Sequence, residues 1–404
     1  MSRRRSLRIA LLCFSIVFIY WTDSYGSFFT IRRSLGAFIP GAASAAIVSR
    51  NARIEAGTYN KIVNNNASIV WVLLGDPHFQ PYLLTAIEQA RFFNPHLNFY
   101  AIIDPAFLEP PNCGRACSWP SELDALRVTR VSPAELDDEW SRTFARTFVH
   151  LWEVELRGRA GRMEPTFRFR SNLNFTLFTT QRLITVHRFM RKYGIERVVH
   201  LENDQMIYAD VQKTVANAAI ACGARLAMTK VGRRFAPAVM YARDAEALTP
   251  MLEFMWDTIS KGADHAVTVT RENWVSDMAL TASYFRERAA AGDSTAMVFP
   301  LRADGSCLNT MSGYIFDGAG LGIWCCGGFE QPRRHFWHKL EESEVPYWEA
   351  NFSWAADLAT GALRVPVWNG SKAFNLHMHS KQLHLFRSRD ANFTPEELER
   401  SHNG

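Results

Sequence analysis

A strand, helix and strand between residues 68 and 103 restrict most strongly what this chain can fold into. Residues 68–74 (SIVWVLL) are apolar and rich in β-branched side chains, and they end at Gly75-Asp76-Pro77, which is typical of a strand buried on both faces. Residues 82–93 predict a helix, and residues 97–103 predict a second strand. Because the connections are short, this unit predicts a parallel sheet with a right-handed crossover.

A second helix and strand lead to a group of polar side chains. Apolar residues recur at helical spacing over residues 180–192 (TQRLITVHRFMRK), and residues 197–201 predict a short strand directly afterwards. This strand delivers Glu202, Asn203 and Asp204 to its C-terminal end. Open α/β sheets bind ligands at that edge. Further helices are predicted over residues 133–157 and from the 272–277 segment through residue 286.

Composition favours one large globular domain. The 404 residues are 48% hydrophobic and contain no Pro-, Gly- or Ser-rich linker in the middle, so we assign residues 67–390 to a single catalytic domain. The net charge is +5, and a basic cluster at the N-terminus explains most of it: Arg3, Arg4, Arg5 and Arg8. Nothing in this balance indicates a nucleic-acid surface, and we expect no nucleic-acid partner.

An uncharged apolar run follows that arginine cluster. Residues 9–21 (IALLCFSIVFIYW) have the layout of a signal anchor whose basic end stays in the cytosol. The run is shorter than the roughly 20 residues that cross a bilayer, and the small residues of Ser24-Tyr25-Gly26 make a cleaved signal peptide the alternative. Both alternatives place the rest of the chain in the lumen.

This interpretation predicts the membrane as a partner and a Golgi or ER location, with secretion if the apolar segment is cleaved. The corresponding segments are a cytosolic tail (1–8), a signal anchor or signal peptide (9–22), a stem (23–66) and a C-terminal tail (391–404).

Cysteines and glycosylation sequons agree with lumenal placement. Six of the seven cysteines follow the apolar run, where disulfides can form, and Cys113 and Cys117 are the expected local pair. A zinc knuckle is the alternative, but no matching second Cys/His pair lies nearby. Five Asn-x-Ser/Thr triplets could carry glycans: Asn66, Asn174, Asn351, Asn369 and Asn392.

The acidic triplet suits a metal-bound diphosphate. Glu202 and Asp204 supply two carboxylates at the end of a buried strand, and a divalent cation held there would neutralise the charge on a departing nucleoside diphosphate. The alternative is an ordinary exposed turn.

A late segment, residues 373–381 (AFNLHMHSK), alternates with the period of a strand. Phe374, Leu376 and Met378 share one face, and Asn375, His377, His379 and Lys381 share the other. Imidazole could complete a metal shell, and the lysine ammonium could pair with phosphate. The alternative is an amphipathic edge strand with a solvated polar face.

Other candidates are single residues or loops. Arg182, on the helix before the acidic triplet, could reach a phosphate or a sugar, or it could be a surface arginine. The basic segment 158–170 is expected to be a solvated loop. Asp317, in a glycine-rich segment, and Trp324 could line an acceptor site, because carbohydrate rings stack on aromatics and bond to carboxylates; a plain turn cluster is the alternative.

In the order of its elements and in these motifs, the chain resembles GT-A-type glycosyltransferases over residues 68–386. The resemblance implies an α/β fold in which a Rossmann-type, mostly parallel sheet is flanked by helices. Members similar to glycogenin use an Asp-x-Asp-like motif, a late histidine and a following lysine at the metal and diphosphate. It therefore implies Asp204 as a metal ligand, Glu202 as a ribose or metal partner, His377 or His379 as a third ligand, and Lys381 on phosphate.

The same resemblance implies that Asp277 is a general base or orients the acceptor, although Ser276 or Asp277 could instead cap the helix. We therefore predict a glycosyltransferase that uses Mn²⁺ or Mg²⁺ and moves a sugar from a UDP- or GDP-sugar to a glycan, protein or lipid acceptor. Its expected donor-binding residues are Glu202, Asn203, Asp204, Lys381 and Arg182. A catalytically silent lumenal carbohydrate-binding protein of the same fold is the alternative.

Overall fold

The computed structural model describes residues 66–75, 82–110, 114–156, 166–272, 275–322, 351–357, 361–378 and 383–389. Its strands, in chain order, are β1 Ser68–Leu73, β2 Asn98–Ile103, β3 Val128–Val131, β4 Val198–Leu201, β5 Gln205–Ile207, β6 Leu226–Val231, β7 Arg234–Ala242, β8 Ala296–Val298, β9 Phe352–Asp357, β10 Ala362–Trp368, β11 Ser371–Lys372 and β12 Asn375–His377.

The α-helices are α1 Leu83–Phe93, α2 Trp119–Ala125, α3 Glu139–His150, α4 Thr166–Tyr193, α5 Ala218–Ala221, α6 Ala245–Ser260, α7 Ala263–Thr270, α8 Asp277–Ala290 and α9 Cys307–Ser312. Short π-helical segments cover Leu151–Leu156 and Gln212–Asn217. Short 3-10 turns cover Pro105–Phe107, Gly114–Ser118, Pro133–Glu135 and Leu383–Phe386.

A seven-stranded sheet of order β3-β2-β1-β4-β7-β6-β8 carries the fold. All its neighbours are parallel except β7, which runs antiparallel to both β4 and β6. Strand β1 pairs with β2 along its whole length, from Ser68 opposite Asn98 to Leu73 opposite Ile103. The predicted strand–helix–strand unit and the mainly parallel sheet flanked by helices are therefore confirmed.

Helices cover both faces of this sheet and create two cores. Along β1, Ile69 and Trp71 pack into one core, whereas Val70 and Val72 pack into the other with apolar residues of α3, α4, α6 and α8. Every residue of β1 is buried. This two-sided burial explains why the strand is apolar throughout instead of alternating.

Two predicted boundaries need correction. Helix α4 begins at Thr166, so residues 166–170 are helical and not part of a loop; the sequence from there to Tyr193 contains no proline or glycine to interrupt the helix. The helix ends at Tyr193, close to the predicted end at residue 192, and Gly194 follows with φ +62°, a conformation that terminates helices. The predicted helix 133–157 is divided, because Asp138 caps α3 by accepting a hydrogen bond from the Ser141 N–H.

Two small sheets lie outside the main one. Strands β9, β10 and β11 form an antiparallel sheet, and β5 pairs antiparallel with β12. Cys222, just after α5, is joined to Cys307 at the start of α9 by a disulfide. Cys117 is also disulfide-bonded, and its predicted partner Cys113 lies outside the described residues.

The predicted anchor and stem, 9–22 and 23–66, fall almost wholly outside the described ranges. Within those ranges, no helix combines the length and the apolar character that crossing a membrane requires.

Candidate metal centre

The acidic triplet forms a buried turn at the C-terminal edge of the main sheet. Strand β4 ends at Leu201, the Glu202 N–H donates to the Ala238 carbonyl at 3.1 Å, and the Gln205 N–H donates back to the Glu202 carbonyl at 3.2 Å. Asn203 and Asp204 are 6% and 7% exposed. The alternative of an ordinary exposed turn is therefore wrong.

Asn203 has a supporting place in this turn. Its side-chain amide lies 3.5 Å from the Val72 carbonyl near the end of β1, so it connects the turn to the neighbouring parallel strand. Its predicted role in donor binding stays a prediction.

His377 lies beside the two acids because β12 pairs with β5. In this pairing His377 is opposite Gln205, the residue after Asp204. The Nε2 atom of His377 is 3.2 Å from Asp204 Oδ2 and 3.5 Å from Glu202 Oε2. One ligand atom from each of these three residues lies within 4.8 Å of the others. A predicted metal-ligand set thus comes together from two segments of the chain.

The other ring nitrogen of His377 fixes how the imidazole is presented. Nδ1 lies 2.7 Å from the Gly318 carbonyl oxygen, which can only accept a hydrogen bond, so Nδ1 carries a proton. In the neutral imidazole the Nε2 lone pair therefore faces Glu202 and Asp204. Two carboxylate oxygens and one imidazole nitrogen form a donor set that suits a divalent cation, and the residues present fit such an ion.

Arg182 contacts the outer side of Glu202. Its Nη2 atom is 2.7 Å from Glu202 Oε1, and both side chains are 12% exposed. Burial opposes the charge of Arg182, but Glu202 and Asp277 hold its pKa above the ordinary value. Arg182 is therefore a buried ion-pair partner and not the surface arginine of the alternative interpretation.

Asp277 is the first residue of α8 and belongs to the same charged group. Ser276 caps this helix, because its hydroxyl accepts the Ala279 N–H at 3.2 Å, so Asp277 is not needed as a cap. Burial raises the pKa of Asp277 to about 6; Arg182 opposes this rise and Glu202 adds to it. The carboxyl group thus has a proton affinity that suits acid–base chemistry near neutral pH.

The charges of this group do not balance. Among the described side chains, the carboxylates of Glu202, Asp204 and Asp277 lie near the guanidinium of Arg182, so negative charge is left uncompensated when all four are ionised. Bound divalent cations invert such local electrostatics.

Tyr82 is a neighbour that the sequence interpretation missed. It immediately precedes α1, and burial raises the pKa of its hydroxyl, with further contributions from the charges of Asp204 and Glu202. The hydroxyl therefore remains protonated beside the acids. A usable signal existed, because Tyr82 follows β1 and so belongs to the same edge of the sheet as the residues that follow β4.

The remaining predicted residues separate into two groups. Asp317 is 2% exposed, and its carboxylate accepts hydrogen bonds from backbone N–H groups, so it does not line an open acceptor surface. The others lie outside the described residues and keep their predicted roles: Trp324, His379 and Lys381.

Comparison with known proteins adds distant similarities. No protein-family model and no curated protein matches the chain. Among solved structures, mouse xyloside xylosyltransferase 1 in its apo form is 11% identical at a TM-score of 0.37, covering 58% of this chain and 85% of that one. The galactosyltransferase LgtC with donor and acceptor sugar analogues is 11% identical at a TM-score of 0.32, covering 58% and 73%.

A third similar structure is the apo form of the bifunctional glycosyltransferase WbbM. It is 12% identical at a TM-score of 0.36, covering 86% of this chain and 53% of that one. All three are glycosyltransferases. Similarity at this level transfers neither substrate nor mechanism, so the functional argument depends on the residues of the site.

Proposed function

We propose that this chain is a metal-dependent glycosyltransferase that moves a sugar from a nucleotide-diphosphate donor to a glycan, protein or lipid acceptor. The observation that carries the proposal is the convergence of Glu202, Asp204 and His377 at the C-terminal edge of the sheet. That edge is where open α/β sheets bind nucleotides.

The proposed site divides its tasks among these side chains. Asp204 Oδ2, Glu202 Oε2 and His377 Nε2 would hold Mn²⁺ or Mg²⁺. When bound, the ion supplies positive charge for the diphosphate that departs as the sugar is transferred. Arg182 keeps Glu202 Oε1 engaged, so that Oε2 stays turned toward His377. Lys381 is proposed to contact a phosphate.

Asp277 is proposed to act on the acceptor. A carboxylate with a pKa near 6 is largely ionised at pH 7 and can still accept the proton of an acceptor hydroxyl as that hydroxyl bonds to the sugar. Its place at the start of α8, next to the Arg182–Glu202 pair, keeps it close to the metal ligands without belonging to them. It can therefore orient an acceptor hydroxyl, receive its proton, or do both.

A lumenal location is proposed as well. The disulfide between Cys222 and Cys307 supports an oxidising compartment, because such bonds are rare in reducing ones. The apolar run 9–21 supports attachment to the Golgi or ER membrane, with secretion as the outcome if it is cleaved.

The test is nucleotide-sugar turnover by the full-length protein in detergent. We expect Mn²⁺-dependent release of nucleoside diphosphate from at least one member of a UDP- and GDP-sugar panel, and loss of that release with EDTA or in Asp204→Asn. The matched control is Asp124→Asn, because the Asp124 side chain is 62% exposed and pairs with Arg130 at the surface.

Three outcomes would contradict different parts of the proposal. The absence of both turnover and metal-dependent nucleotide binding in the wild type would overturn the enzyme proposal. Sugar binding without turnover would favour the silent carbohydrate-binding protein instead. Full activity in Asp204→Asn would refute the site assignment while leaving the activity intact.

A further inference from the structure

Asp317 is bound by the segment that carries His377. Its Oδ2 atom accepts the His377 N–H at 2.9 Å and the Gly322 N–H at 2.7 Å, while Oδ1 accepts the Leu321 N–H at 2.9 Å. Three backbone donors therefore converge on one carboxylate, and the residue is 2% exposed. Both oxygens are engaged within the protein, which leaves Asp317 unsuited to binding an acceptor from solvent.

The backbone of Asp317 is held as firmly as its side chain. Its N–H donates to Asn375 Oδ1 at 3.0 Å, and its carbonyl accepts from Asn375 Nδ2 at 2.6 Å. The same Nδ2 atom donates to Gln205 Oε1 at 2.7 Å. Asn375 thus joins the Asp317 segment to both β12 and β5, the two strands that place His377 beside Asp204.

Two glycines allow the chain to come this close. A Cβ atom on Gly322 would overlap the His377 carbonyl oxygen, and one on Gly318 would overlap the Lys230 carbonyl oxygen at the end of β6. Only glycine lets two backbones approach in this way. The segment 317–322 is therefore packed between β6 and β12, and the Gly318 carbonyl is fixed where it accepts from His377 Nδ1.

We propose that Asp317 is a positioning residue for the metal ligand His377. By binding the His377 N–H together with the Leu321 and Gly322 N–H groups at the end of its own segment, Asp317 holds the Gly318 carbonyl against Nδ1. This selects the Nδ1–H tautomer and turns the Nε2 lone pair toward Asp204 and Glu202. The inference rests on the proposed metal site and assigns the glycine-rich segment to organising that site, not to the acceptor.

The charge and shape of Asp317 are both required. Asparagine has the same size, but it offers one oxygen and an NH₂ group, which would face at least one of the three backbone donors. The loop would shift and His377 would lose its fixed ring position. Partners that orient a metal-binding histidine typically cost about 10–100-fold in metal affinity when they are replaced.

The experiment measures Mn²⁺ affinity of the full-length protein by electron paramagnetic resonance, without nucleotide. We expect Asp317→Asn to weaken binding about 10-fold or more. In the His377→Ala background, Asp317→Asn should change the affinity by less than about 2-fold, because the two effects act through one ligand. The matched control is Asp357→Asn, a buried aspartate whose ion-pair partner is Lys372.

A second measurement needs no substitution in the loop. NMR of the wild-type protein labelled at the histidine ring nitrogens, with the His377 signal identified by its loss in His377→Ala, should show a proton on Nδ1 of the metal-free imidazole. A ring protonated at Nε2 alone would overturn the inference even if Asp317→Asn does not fold. Equal effects of Asp317→Asn with and without His377 would also overturn it.

Failure of the proposed function has a different signature. If the wild type binds no Mn²⁺, the metal site is refuted, and the tautomer measurement still decides whether Asp317 and Gly318 orient His377. If the wild type binds Mn²⁺ and Asp317→Asn binds it equally well, the metal site stands and the positioning role does not.

Discussion

Replacing Arg182 with methionine leaves the buried carboxylates of Glu202 and Asp277 without their guanidinium. The Arg182–Glu202 contact is 2.7 Å long between side chains that are each 12% exposed. Removing one partner of a buried ion pair strands the other charge and costs about 3–5 kcal/mol. We expect the free energy of unfolding to fall by about that amount at neutral pH with EDTA present.

The structure supplies a surface pair of almost the same length as a control. Arg146 lies 2.8 Å from Glu139, but these side chains are 63% and 70% exposed. Water already solvates both charges there, so Arg146→Met should change the free energy of unfolding far less than Arg182→Met. Urea unfolding compares the two variants at matched side-chain type and contact distance, and Glu139 is further compensated by Arg142 at 3.2 Å, so both its exposure and this second cation predict a small effect.

A double variant tests the reasoning itself. If the cost of Arg182→Met comes from a stranded carboxylate, adding Glu202→Gln should recover part of the lost stability, because the buried negative charge is then gone. Equal losses in Arg182→Met and Arg146→Met would refute the argument from burial. A further loss on adding Glu202→Gln would refute the stranded-charge explanation.

Three other perturbations follow from the described contacts. The pKa of Asp277 is raised to about 6, so its contribution to stability is present in acid and is lost as pH rises through 6; relative to the wild type, Asp277→Asn should therefore become more stable from pH 4 to pH 7. Wild-type kcat/KM should fall below about pH 6 as the proposed base is protonated, and a flat pH profile would contradict that role. Gly318→Ala should lower the melting temperature together with Mn²⁺ affinity, because its Cβ would overlap the Lys230 carbonyl; unchanged affinity would separate this loop from the metal site. Replacing both Cys222 and Cys307 with serine removes the cross-link between residues 85 positions apart and should lower the free energy of unfolding by up to about 4.6 kcal/mol, measured by urea unfolding without reductant; an unchanged free energy would contradict a stabilising role of this bond.

The sequence predicts well what depends on neighbours along the chain. Strands β1 and β4 can be predicted because each is a buried apolar run, and the place of Glu202 and Asp204 can be predicted because they directly follow β4. The ion pair of Arg182 cannot be predicted in this way. Its helix is amphipathic, and only the packing of α4 over the sheet decides that this arginine is buried against Glu202.

Long-range pairing accounts for what the sequence missed. His377 and Asp204 are 173 positions apart in the chain and come into contact because β5 pairs with β12. No local sequence pattern predicts that these two residues are neighbours. Asp317 is a carboxylate among glycines, a pattern typical of a ligand-binding residue, but its oxygens accept hydrogen bonds from backbone N–H groups of two separate segments. A carboxylate that serves the backbone and one that serves a ligand look alike in a sequence.

The pairing of β5 with β12 also sets when the metal site can exist during synthesis. Asp204 is made long before His377, which lies 173 positions later in the chain, so the third ligand becomes available only after the intervening residues have been translated. A nascent or truncated chain that ends before β12 would have the main sheet and its acidic turn but no imidazole to close the site. If the proposed site binds an ion, that property would be one of the last that the growing chain acquires, and incomplete chains would not compete for the ion through this site.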